Sequence, residues 1–161
     1  MALPGTLLFT VLVPGTVAGV VPWLLRGRAP LPPPLAAADV MAGAMAVVAG
    51  AALYAWCAWD FATVGDGTPS PTAPPRQLVR GGPYRWSRNP MYVGVLLVIA
   101  GQAAWSRSPA TWLYAAALAL AFHLRVTLAE EPALRRAFGD GFDAYAARVP
   151  RWIGRARRDR V

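Results

Sequence analysis

Apolar and polar residues follow one another along this chain in long blocks, not in the short alternations of a strand or a half-buried helix. Four blocks are apolar, residues 3–25, 35–59, 91–105 and 109–128. About 20 helical residues cross a hydrocarbon core of roughly 30 Å. The first, second and fourth blocks therefore each predict a spanning helix, with Pro14 and Pro22 kinking the first or ending it early. The third block is short, about 22 Å at 1.5 Å per residue, and falls short of a full crossing unless its ends are set in protein. Gly43 and Gly50 lie seven apart on one face of the second block, which suits close contact between helices. Ser106-Arg107-Ser108-Pro109 predicts a tight turn, so the third and fourth segments pair as a hairpin. The pattern predicts an all-α integral membrane protein of about four transmembrane helices, the last two a helical hairpin, with a cytoplasmic C-terminal helix. It forms a single domain: residues 1–60 hold two N-terminal helices, 61–90 a linker and turn, 91–129 the hairpin, and 130–161 the C-terminal segment.

Composition supports the membrane assignment. The chain is 56% hydrophobic and 15% charged, against about 25% charged in soluble domains. Trp23, Trp56, Trp59, Trp86, Trp105, Trp112 and Trp152 fall at or beyond segment ends, as an interfacial aromatic belt requires. A net charge of +8 raises nucleic acid as a partner, but the basic residues flank apolar segments as topology signals do; no nucleic acid is expected. All sixteen are arginine, a codon bias without mechanistic content. No basic residue precedes the first segment and its apolar stretch is too long for a secretory signal. The single cysteine, Cys57, lies in an apolar run as a small packing residue. Arg76, Arg80, Arg85 and Arg88 precede the third segment and an arginine-rich tail follows the fourth, while Arg107 alone marks the turn between them and Arg26 with Arg28 mark the turn between the first and second. The positive-inside rule then places both termini and both polar clusters in the cytoplasm, with the protein in a bacterial inner membrane. Residues 65–75, rich in Pro, Thr, Gly and Ser, read as a flexible linker. Arg148 to Arg160 read as an anionic-lipid contact.

Two polar clusters carry the candidate chemistry. One is the turn Gly81-Gly82-Pro83-Tyr84-Arg85-Trp86-Ser87-Arg88-Asn89-Pro90-Met91-Tyr92, and the other is Glu130-Glu131 with Phe138-Gly139 and Tyr145. Asn is a favoured N-cap and Pro a favoured first helical residue, so Asn89-Pro90 predicts a helix start with free backbone N–H groups, suited to a carboxylate or phosphate. Arg88 adds a full charge there, or meets lipid headgroups. Tyr84, Trp86 and Tyr92 offer aromatic faces to a cation such as a sulfonium, or serve as interfacial anchors. Arg125 lies about one turn before Glu130, inside the apolar run, where ionisable groups are costly. Only one of Glu130 and Glu131 can face it. His123 reads as a satisfied hydrogen-bonding residue. No Cys/His set has metal-ligand spacing, so no metal is expected, and no phosphate-loop or dinucleotide glycine motif is present.

Taken together, Tyr84-x-x-x-Arg88-Asn89-Pro90-Met91-Tyr92, Glu130-Glu131-x-x-Leu134-x-x-x-Phe138-Gly139-x-x-Phe142-x-x-Tyr145 and Val149-Pro150 resemble the isoprenylcysteine carboxyl methyltransferase and phospholipid methyltransferase superfamily. The resemblance covers residues 77–152, and the first two helices show no such signature. It implies an integral membrane enzyme using S-adenosylmethionine, held between the start of the third helix and the end of the fourth. Tyr84, Arg88, Asn89, Pro90 and Tyr92 would line the cofactor site, with Glu130 or Glu131 gripping its polar end. Arg125 and Glu130 would be the catalytic pair, Arg125 meeting an acceptor carboxylate. The eukaryotic carboxyl methyltransferases have His at the position of Asn89, and the glycine pattern of the phosphatidylethanolamine enzymes is absent. The acceptor implied is lipophilic and enters from the bilayer. Two other readings of the residues stay open: an NADPH-dependent membrane reductase of the steroid-reductase type, which shares a similar turn, and a membrane scaffold in which Arg125, Glu130 and Glu131 form a structural ion cluster.

Overall fold

The computed structural model describes residues 13–26, 37–63 and 77–154. Residues 3–12 of the first segment, the linker at 65–75 and the arginines after residue 154 lie outside them. The described residues form five helices and no strand: α1 (Val13–Leu25), α2 (Ala37–Thr63), α3 (Pro90–Ser106), α4 (Pro109–Phe138) and α5 (Asp140–Arg148). Two of these, over Val40–Thr63 in α2 and Pro109–Phe138, are long and apolar enough to cross a membrane; α1 and α3 are shorter apolar helices.

The small residues of α2 set the main packing contact. Gly50 meets Gly94 and Gly43 meets Gly101, and this reversed pairing runs α2 antiparallel to α3. A Cβ on Gly50 would come within 2.5 Å of the Gly94 carbonyl, and one on Gly94 within 2.8 Å of the Gly50 carbonyl. Only hydrogen fits at either position, so the backbones touch, as at other small-residue helix contacts in membranes. The sequence expectation for Gly43 and Gly50 is met. α3 is enclosed, with Gly94, Val95, Ile99, Gly101 and Ala103 buried. Its short length is accommodated because its neighbours, not lipid, surround it. The outward faces of α2 and α4 keep Met41, Met45, Val48, Leu113, Leu120 and Leu128 exposed, a surface an aqueous protein would rarely leave bare.

Prolines shape two helices without breaking them. Pro22 has no N–H for the Ala18 carbonyl four residues back. Gln102 of α3 donates its amide to that carbonyl at 2.5 Å, and Tyr114 of α4 donates its hydroxyl to Val17 O at 2.9 Å. Neighbouring side chains thus satisfy the backbone that the proline frees, as an apolar setting requires. Thr16–Val20 is correspondingly a π-turn. The hairpin turn is as tight as expected: Arg107 adopts a left-handed conformation (φ 47°) and Ser108 caps α4 by accepting from Thr111 N at 3.3 Å.

Two helix ends differ from the sequence reading: α2 runs past Trp59 to Thr63, and α4 runs further still. α4 does not end near Leu128 but continues to Phe138. Pro132 has no N–H to give to a carbonyl of the preceding turn, and just ahead of it Val126–Glu130 winds as a π-turn, with Glu131 N bonded to Val126 O. The wider turn carries the chain past the proline. Gly139, at φ 50°, then reverses the chain into α5, whose Phe142 and Tyr145 pack with Val149 against Leu78, Leu134 and Phe138.

Candidate functional site

Residues 77–89 lead into the start of α3 and pack beside α2. Pro83 and Tyr84 are buried in a 3-10 turn, Gly82–Arg85. Tyr84 packs edge-on to Phe61 at 5.7 Å and joins Cys57 and Val79 in a small core. Its carbonyl accepts the Tyr145 hydroxyl at 2.7 Å, and burial pushes that phenol up to about 12. Asn89 is the N-cap of α3 and Pro90 its first residue, yet the Asn89 side chain makes no capping bond. It donates instead to the Arg151 carbonyl at 2.9 Å, while the Asn89 amide donates to Ser87 Oγ at 3.1 Å. The amides of Met91 and Tyr92 follow a proline at the head of the helix, where no preceding helical carbonyl reaches them.

The π-turn builds the second half. Arg125 and Glu130 are five residues apart, a spacing that points apart on an α-helix but that an i→i+5 turn brings together. Arg125 Nε lies 2.7 Å from Glu130 Oε1. Both meet Tyr92 of α3: its hydroxyl donates to Glu130 Oε1 at 2.5 Å and accepts from Arg125 Nε at 3.2 Å. The Tyr92 ring lies 4.3 Å from Phe122 and 6.5 Å from Trp152. With side chains 48% and 29% exposed, Arg125 and Glu130 remain reachable by a ligand.

Glu131 has a different environment. It is 5% exposed and held by two arginines, Arg88 Nη1 at 2.9 Å and Arg151 in a two-pronged contact, Nε to Oε1 at 2.7 Å and Nη2 to Oε2 at 2.9 Å. Burial draws Arg88 below its ordinary value, with Glu131 acting against it; the bond to Glu131 raises Arg151. Arg88 Nε is buried with no hydrogen-bond partner among the described residues. The chain after α5 forms a strap across the two clusters. Pro150 O accepts Arg88 N at 2.9 Å, and Trp152 Nε1 donates to His123 Nδ1 at 3.2 Å.

The structure brings Tyr92, Arg125 and Glu130 into direct contact, with Arg88, Asn89 and Pro90 beside them through the helix start and the strap. Tyr84 is turned into the core, and Glu131 is occupied by arginines. His123 is a satisfied acceptor, as expected. The lipid-contact reading of the tail fails at Arg151, whose guanidinium is drawn to the buried carboxylate of Glu131. Arg151, Trp152 and Ser87 were not anticipated as site residues. Val149-Pro150 was the available signal, because a proline after a helix fixes where the following side chains go.

A model of the phospholipid methyltransferase family matches residues 38–141. The match starts in α2, where the sequence showed no signature, and ends before Phe142, so the strap lies beyond it. No curated protein and no solved structure matches the chain. With more than half its length matched, and with two helices able to span a membrane, the chain belongs to the phospholipid methyltransferase family, part of the isoprenylcysteine carboxyl methyltransferase-like group of membrane methyltransferases.

Proposed function

We propose that the protein transfers a methyl group from S-adenosylmethionine to a lipid acceptor at the cytoplasmic face of the membrane, with Tyr92, Arg125 and Glu130 at the centre of the site. The observation that carries this reading is the three-way contact of those side chains, made across two helices by a π-turn and left open to a ligand. Such turns recur at functional sites. Family membership supplies the reaction class.

The residues present fit the cofactor's charges. The Met91 and Tyr92 amides, the positive end of α3 and the unpartnered Arg88 Nε suit its carboxylate. Glu130 and the face of Tyr92 suit its cationic groups. Bound S-adenosylmethionine would supply a methyl on a positively charged sulfur. The task of the protein is alignment, since displacement at that carbon needs the acceptor atom held in line more than it needs acid–base groups. Glu130 can receive a proton from an amine acceptor. His123 is less suited, because its Nδ1 lone pair already accepts Trp152 N–H. Glu131 acts by fixing the strap. Arg80, Arg85, Arg88, Arg135, Arg136 and Arg151 gather at the end of the bundle that holds the site, against Arg26 and Arg107 at the other, where Ser108 Oγ bonds the Leu25 carbonyl; the excess supports a cytoplasmic site.

The test is incubation of the purified protein with methyl-labelled S-adenosylmethionine and phosphatidylethanolamine vesicles, then with a total membrane lipid extract. Label in a lipid product supports the reading. No labelled lipid from either source overturns it.

A further inference from the structure

Beside the polar cluster lies a cleft of about 170 Å3, walled by Leu53, Pro83, Pro90, Val93, Trp152 and Ile153 among others. This volume is well below the 300–1,000 Å3 of pockets that enclose whole small molecules. Its lining is almost wholly apolar, and the one hydroxyl on it, Ser87 Oγ, is engaged by the Asn89 amide and the Arg151 carbonyl. A cofactor with several charges therefore has nothing to grip there, whereas a stretch of alkyl chain needs only apolar walls.

The cleft is a built feature. Its outer wall is the strap, and the strap is pinned by Arg88 N on Pro150 O, by Asn89 and Ser87 on Arg151 O, by the Arg151–Glu131 pair and by Trp152 on His123. Trp152 is the shared partition. It lines the cleft, and its ring also lies 6.5 Å from Tyr92 and 6.3 Å from His123. A chain seated in the cleft thus ends one aromatic ring away from the polar cluster. The cleft also sits between Leu53 of α2 and Val93 of α3, toward the end of the bundle where α2 finishes and α3 begins.

We propose that this cleft takes the part of the lipid acceptor's hydrocarbon chain nearest its headgroup, and that Trp152, held by the strap, is the positioning residue that aims the headgroup at Tyr92 and Glu130. The proposal rests on the methyl-transfer reading above and assigns a role to a segment outside the family match.

The experiment uses the full chain in vesicles containing a phosphatidylethanolamine whose acyl chain carries a diazirine close to the headgroup. After irradiation, adducts are mapped by peptide mass spectrometry in wild type, Ile153→Asp and Val93→Trp. Ile153 is 83% exposed, so Ile153→Asp places a charge on the rim without disturbing the core. The expected result is enrichment of adducts on Leu53, Val93 and Ile153 over the exposed Met41, Leu113 and Leu128, reduced at least fivefold in both variants. Adducts spread evenly over lipid-facing residues, or unchanged in Ile153→Asp, overturn the proposal. Trp152→Ala should raise the acceptor KM at least fivefold with the S-adenosylmethionine affinity within threefold, and Trp152→Phe should restore most of the loss; equal loss of both affinities overturns the positioning role. S-adenosylmethionine binding to wild type is measured in parallel by calorimetry. Its absence counts against the methyl-donor reading alone, because the adduct map does not depend on it.

Discussion

Replacing Glu131 by Gln isolates the latch of the strap. The carboxylate is 5% exposed and makes three contacts with Arg88 and Arg151, at 2.9, 2.7 and 2.9 Å. Removing one partner of a buried ion pair costs about 3–5 kcal/mol. Arg151 is about one-third exposed, so solvent screens part of that loss, and Gln retains an acceptor for one arginine. A cost of about 2 kcal/mol remains, which converts to roughly a thirtyfold shift toward an open strap at about 1.4 kcal/mol per factor of ten. The shift is read by hydrogen exchange. The Arg88 amide, bonded to Pro150 O, should exchange roughly thirty times faster in E131Q, while amides in the middle of α3 keep their protection. Glu130→Gln should leave Arg88 exchange unchanged, because Glu130 does not touch the strap. Equal exchange of Arg88 in wild type and E131Q would refute the reasoning, since it would mean that the arginine–glutamate contacts do not hold the segment.

Other substitutions separate packing from chemistry. Gly50→Ala drives a Cβ into the Gly94 carbonyl and should cost about 3 kcal/mol or more, seen as a lowered thermal midpoint in detergent, while Gly19→Ala, with nothing within 4 Å, should shift it far less. Gln102→Leu strips Ala18 O of its donor and should cost about 1–3 kcal/mol in the same assay. Tyr92→Phe removes the hydroxyl shared by Glu130 and Arg125; methyl transfer should fall at least tenfold with the thermal midpoint within a few degrees. Tyr145 titrates about 12 when folded, above the ordinary value of about 10. It therefore contributes stability that is complete below pH 10 and is lost as pH rises toward 12, and Tyr145→Phe should flatten that part of an alkaline denaturation profile.

Block length, tryptophan placement and glycine spacing make the helices readable in the sequence. The packing of Gly43 and Gly50 followed because a missing side chain has one consequence wherever two helices cross. The site was legible in part. Asn89-Pro90 marked a helix start, but a local preference for capping could not reveal that a carbonyl 62 residues away would claim the Asn89 side chain. Regular helical spacing separates Arg125 from Glu130; only the π-turn ahead of Pro132 joins them. Arg151 was hidden among neighbouring arginines, since nothing local distinguishes a side chain that finds a buried carboxylate from one that faces water. Tyr84 sat in the motif yet packs in the core, because a motif fixes the backbone path and not which way each ring turns.

Titration calorimetry of S-adenosylmethionine into the purified protein, beside Glu130→Gln and Arg125→Ala, tests the assignment of the Tyr92, Arg125 and Glu130 cluster most directly. Saturable binding by the wild type, weakened at least tenfold in each variant while the helical circular dichroism is retained, is the expected outcome. No binding by the wild type, or equal affinity in all three proteins, would contradict it.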